Sequence, residues 1–68
     1  MRIEAGILVD YDSGTHTATV RYAASLAASV PGVPVSRGID GSEMTAGRQV
    51  AVAVFGDGPA DAMILGVW

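Results

Sequence analysis

Residues 46–68 constrain this chain more than any other stretch, because they read as one β-hairpin that is apolar on both sides. Residues 48–55 are rich in β-branched side chains and contain no breaker. Gly56-Asp57-Gly58-Pro59 is a turn cluster: glycine supplies positive φ, and proline cannot continue a ladder. Residues 62–68 form a second apolar strand. In the first strand Val50, Val52 and Val54 share one face, while Gln49, Ala51, Ala53 and Phe55 share the other. Neither face is clearly polar, and a strand apolar on both sides must be covered on both sides.

Sixty-eight residues make one domain, residues 1–68, with a core too small to be comfortable alone. Chains of this size are usually held by disulfides, a metal or association. There is no cysteine, which excludes disulfides and thiolate metal sites. Half the residues are hydrophobic and only 16% are charged, a poor match to the well-charged surface of a soluble monomer. The expectation is a homo-oligomer whose surface is partly buried against other copies.

No apolar run reaches the roughly 18 residues of a membrane span, so no membrane association is expected. The N-terminus, Met1-Arg2-Ile3-Glu4, has an early carboxylate and no cleavage signal, so synthesis in the cytoplasm is expected. Net charge is −3, with four arginines and no lysine, which argues against a phosphate-binding surface. Asparagine is absent too; coding bias in a GC-rich genome and selection for heat tolerance each account for that.

Residues 2–11 form the first strand. Ile3, Ala5, Ile7, Val9 and Tyr11 share one face; Arg2, Glu4, Gly6, Leu8 and Asp10 share the other, which is mostly polar. Gly6 inside the strand suggests a bulge or sharp bend. Asp12-Ser13-Gly14-Thr15 is a hairpin turn. Residues 17–22 follow as the second strand, with Ala18, Val20 and Tyr22 pointing one way. Residues 23–29 are alanine-rich but too few for an isolated helix, and read as a loop or strand extension with at most one helical turn. Val30-Pro31-Gly32 turns the chain, and residues 33–36 form a short strand that Pro34 confines to an edge or a bulge. Ser42 can cap a single helical turn that Gly47 ends. Five short strands with turns every ten residues or so predict an all-β fold, a small five-stranded antiparallel β-barrel.

Gly47-x-x-Val50-x-Val52-x-x-Phe55-Gly56-Asp57 with Ala62-x-Ile64-x-Gly66, and Gly6-x-Leu8-Val9-x-Tyr11-Asp12 with Thr19-Val20-Arg21-Tyr22, carry a resemblance over nearly the whole chain. They resemble the OB-fold barrel domain of phage tail spike and baseplate assembly proteins and of type VI secretion spikes. The resemblance implies an OB-like barrel, a trimer, other tail or baseplate proteins as partners, a place in a virion tail or related injection machine, and no catalytic residues. The sequence continues past Trp68 into neither a β-helical needle nor an enzymatic domain, so a ring, hub or adapter subunit is the expected role rather than a piercing tip.

Candidate chemistry is sparse. His16 is the single histidine and reads as a solvated turn residue; Ser13 and Asp12 lie nearby with nothing to fix them as a catalytic set. Asp10-x-Asp12-x-Gly14 is reminiscent of a calcium loop, but the position of the bidentate glutamate is Arg21. Asp57 and Asp61 could join a carbonyl-rich cation site, although turn formation explains all four aspartates. Gly56-Asp57-Gly58 lacks the lysine and helix of a phosphate loop. Of the aromatics Tyr11, Tyr22, Phe55 and Trp68, only Tyr22 adjoins an arginine, which is thin support for single-strand binding. No enzyme activity, cofactor, metal or nucleic acid is expected. The leading reading is a structural assembly protein; the alternative is a small binding module for single-stranded nucleic acid or oligosaccharide. The expected subunit interface is Ala51, Ala53, Met63, Leu65, Val67 and Trp68.

Overall fold

The computed structural model describes residues 1–23, 28–58 and 61–68. The chain forms β1 (Arg2–Asp12), β2 (Thr17–Tyr22), β3 (Ser29–Pro34), a 3-10 turn (Gly41–Glu43), β4 (Gln49–Val54) and β5 (Ala62–Val67). All five strands lie in one sheet, in the order β3-β2-β1-β4-β5, and every neighbouring pair is antiparallel. The fold is therefore all-β. Among the described residues no helix is long and apolar enough to cross a membrane. The alanine-rich stretch at 23–29 falls mostly outside the described residues; Ser29 already belongs to β3.

β1 is the centre of the sheet because it is long enough to serve two partners. Its first half pairs with β4, from Arg2 opposite Val54 to Ile7 opposite Gln49. Its second half pairs with β2, from Gly6 opposite Tyr22 to Asp12 opposite Thr17. Gly6 and Ile7 belong to both ladders. A Cβ placed on Gly6 would sit 2.8 Å from Val20 Cγ1 and 2.9 Å from the Arg21 carbonyl oxygen. Gly6 is thus a place where β2 crowds the backbone of β1. The bulge expected there lies three residues on, where the register with β2 slips between Leu8 and Asp10 and leaves Val9 unpaired.

β3 is shaped by its prolines. β3 is an edge strand, as Pro34 requires, but it runs straight through Pro31 and Gly32 rather than turning there. Those two residues bulge opposite Thr19, between the Ala18–Val33 and Val20–Val30 pairs, with Gly32 at φ +72°. The turn before β4 is capped by Asp40, whose carboxylate accepts from Ser42 N at 3.0 Å. Ser42, the expected cap, is instead the donor, and its amide and hydroxyl hold Asp40 below the usual carboxylate range.

In a flat sheet four strand spacings would separate β3 from β5 by about 19 Å. Here the chain just after β3 touches β5: Val35 makes an isolated parallel bridge to Ile64, and Ser36 N donates to the Ile64 carbonyl at 3.0 Å. The sheet must curl to allow this. Among the described residues the contact is one bridge and not a ladder, so the sheet remains open.

The concave side holds the core: Leu8, Ala18, Val20, Val33, Val35, Met44, Val50, Val52, Val54, Ala62 and Ile64. Val50, Val52 and Val54 face inward as the hairpin pattern required. β1 is turned the other way from what its alternation suggests. Pairing with the valines places Arg2, Glu4 and Gly6 on the core side, because they sit opposite Val54, Val52 and Val50. Ile3, Ala5 and Ile7 are left outside and exposed. The Val9 bulge then returns Tyr11 to the core side, opposite Ala18.

Gly6→Ala is expected to destabilise the fold by about 1–3 kcal/mol, the usual cost of forcing a methyl group into occupied space. Chemical denaturation measures it. An unchanged midpoint would show that Val20 and the Arg21 backbone give way freely.

Candidate functional site

The end of the sheet nearest the β1–β2 turn is sealed by its own polar groups. His16 sits at φ +53° beside that turn. Its Nε2 lies 3.1 Å from the Ser36 carbonyl, which can only accept, so Nε2 carries the hydrogen. Nδ1 then accepts from the Tyr11 hydroxyl at 2.6 Å, with the two rings edge to face at 5.6 Å. His16 is therefore a partly buried tie between the first hairpin and the segment after β3, not the solvated turn residue its sequence context suggests. A cleft of about 550 Å³ opens beside it, lined by Ser13, Thr15, Thr17 and Arg37 among others. Both ring nitrogens are already occupied, and the Asp12 carboxylate accepts from Gly14 N at 2.9 Å. The imidazole therefore meets Tyr11 and Ser36, and not the Ser13 and Asp12 that flank it in sequence.

Asp10 and Asp61 are likewise engaged by backbone amides. Asp10 accepts from Tyr11 N at 2.9 Å, and Asp61 from Gly58 N at 3.4 Å. Asp10 and Asp12 lie at one end of β1, while Asp57 and Asp61 lie in the β4–β5 turn at the other end. Among the described residues no three of His, Cys, Asp and Glu come together as a metal site would need.

The opposite end of the sheet carries a cleft of about 470 Å³. Val30, Val54 and Ala62 line its apolar part, and Arg2, Glu4, Tyr22 and Asp57 its polar part. Arg2 Nε donates to Glu4 Oε2 at 2.8 Å, so the two charges cancel locally. Burial first, and the Glu4 carboxylate second, push the Tyr22 phenol above its ordinary value of 10.0, while Arg2 pulls the other way. The cleft offers one phenol, one neutralised ion pair and a turn carboxylate. Tyr22 and Arg21 occupy opposite faces of β2, and Phe55 and Trp68 lie elsewhere, so the aromatic and basic side chains do not gather along one groove.

The outer face of β1, β4 and β5 is a contiguous, mostly apolar surface. Ile3, Ala53 and Met63 form one row across it by register. Ala5, Ala51 and Gly66 form the next, with Leu65 bulged beside them. Ile7, Gln49 and Trp68 form a third, closed by Trp68 N donating to the Gln49 carbonyl at 2.9 Å. Phe55 follows Ala53 on the same side. No charged side chain stands in these rows within β1, β4 and β5; Arg21 of β2, opposite Ile7, borders the third. Trp68, Phe55, Ile3, Leu65 and Ile7 are 61, 57, 56, 45 and 37% exposed. With aromatic side chains offering about 150–250 Å² each, they leave on the order of 600 Å² of apolar surface, the upper end of what a monomer shows. Next to it, the outward residues of β2 are Thr17, Thr19 and Arg21.

Five of the six expected interface residues, Ala51, Ala53, Met63, Leu65 and Trp68, lie on this face. Val67 does not: it stands opposite the fully buried Val50 and packs against the core. The slip that leaves Leu65 unpaired shifts the alternation by one residue and turns Val67 inward. Ala53 is buried yet stands apart from the core cluster. Ile3, Ala5, Ile7 and Phe55 were not among the expected residues. Ile3, Ala5 and Ile7 join the face only through the β1–β4 register, which no local pattern encodes; Phe55 was visible beside Ala51 and Ala53 in the alternation of residues 49–55.

Two measurements test these sites. His16→Ala removes two internal hydrogen bonds and is expected to cost about 1–3 kcal/mol in chemical denaturation; no loss would mean that water replaces both partners. Tyr22 holds its proton more tightly folded than unfolded. Its contribution is whole below about pH 10 and is lost as pH rises through the folded value. Wild-type stability should fall across that window more steeply than that of Tyr22→Phe; parallel curves would contradict the raised phenol.

Comparison of the chain with protein-family models, with curated proteins and with solved structures gives no match.

Proposed function

We propose that this protein is a structural, self-associating assembly subunit. The observation that carries the reading is the uncharged apolar face over three of the five strands. Burying about 600 Å² on each of two copies returns on the order of 30 kcal/mol gross at about 25 cal/mol per Å². That is an upper value, but it exceeds the roughly 4–15 kcal/mol that association costs in lost freedom.

The resemblance adds the finer reading: an OB-like barrel acting as a ring, hub or adapter in a phage tail or related injection machine, three copies about one axis, with other tail or baseplate proteins as partners. The curled sheet and the Val35–Ile64 bridge are compatible with a small barrel, and Met44, 7% exposed after the 3-10 turn, packs into the core. Fold likeness alone does not establish function. The tail-machine assignment therefore depends on the resemblance, and the assembly role on the face.

Light scattering behind size exclusion tests the assembly role. A mass that is a multiple of 6.9 kDa at micromolar concentration is expected. Three copies would agree with the resemblance, and two would keep the association while discarding its stoichiometry. A single-chain mass would remove the reading.

A further inference from the structure

We infer that copies of this chain meet face on face, through the outer surface of β1, β4 and β5, and not edge to edge; the inference rests on the self-association proposed above. The alternative for any open sheet is backbone pairing along its edges. Here both edges are compromised. β3 lacks two backbone donors, at Pro31 and Pro34, and is bulged between them. β5 has its Ile64 carbonyl already engaged by Ser36 N, with Val35 bridged alongside. A strand added to either edge would meet an interrupted ladder.

The face has no such obstacle. Ala51 and Ala53 keep its middle low, so a second sheet can approach to the usual ~10 Å, while Ile3, Ile7, Leu65 and Trp68 stand around them to interdigitate. A face meeting its own image closes with two copies, not the three that the resemblance implies; together they would bury on the order of 1,200 Å² in all, the lower bound for a stable specific interface. Charge points to the same occupant. The chain carries −3, so two copies repel weakly at long range. The face itself places no charged side chain against its own image, whereas a strongly charged partner would gain no ion pair there.

The test pairs a double variant with a spectroscopic readout. Ile3→Lys/Leu65→Lys puts two cations on side chains that are exposed in the single chain, so folding should survive; circular dichroism and the melting transition check this. Its mass should fall to 6.9 kDa. Arg37→Glu, exposed beside the His16 cleft, should leave the wild-type mass unchanged. Trp68 is the only tryptophan, so its fluorescence reports the face directly. In wild type its emission should shift to the blue and resist acrylamide quenching as concentration rises, and the double variant should show neither effect. An assembly that keeps its mass in the folded double variant, with Trp68 fully quenchable, would overturn the face while leaving self-association standing. A wild type that stays at single-chain mass with Trp68 exposed at every concentration would remove both. If the double variant does not fold, the wild-type quenching series decides by itself.

Discussion

The pairing of β1 with β4 is the interaction on which the rest of the structure depends. It sets Glu4 opposite Val52 and Gly6 opposite Val50, and so commits every residue of both strands to a side. A slip of one residue would exchange the two sides of β1 completely. In the observed register the valine row, Leu8, Val20 and Ile64 fill the concave side, all of them at most 8% exposed. Gly6 belongs in that row because the space a side chain would occupy is already taken by Val20. The interior is small, and six valines with one leucine, one isoleucine, one methionine and two alanines use it up. The remaining apolar side chains have only the convex side to go to.

That division leaves the fold with an unusual surface. A 68-residue chain buries a modest fraction of its area, and this one has no disulfide to compensate. Its apolar content is nonetheless high. The excess is not scattered: it is collected on three adjacent strands and excluded from β2, where threonine and arginine face out. Scattered apolar side chains need no explanation, whereas a contiguous set does. The pattern gives association a physical advantage, because it supplies burial that one chain cannot.

Several polar groups satisfy one another. Tyr11, His16 and the Ser36 carbonyl satisfy one another, and Arg2 and Glu4 do the same at the other end. Among the described residues no buried side-chain donor or acceptor lacks a partner. Sites that bind or react usually keep some polar capacity in reserve, since an unpaired buried group is costly until a ligand meets it.

The sequence by itself determined four of the five strands, the two hairpins, the inward row Val50, Val52 and Val54, and the edge placement that Pro34 demands. These depend on interactions between near neighbours: alternation, turn chemistry and the missing donor of proline. Most of the apolar face was legible in the closing hairpin for the same reason. Tertiary structure alone decided which side of β1 faces the core, because that follows from a register with β4, more than forty residues away in the chain. It decided that the bulge falls at Val9 and not at Gly6, since crowding by β2 is invisible locally. It also decided the fate of Val67, turned inward by a one-residue slip in β5, and of His16, which found Tyr11 and Ser36 only once the chain had curled. Periodicity assigns residues to faces; only long-range pairing says which face is inside.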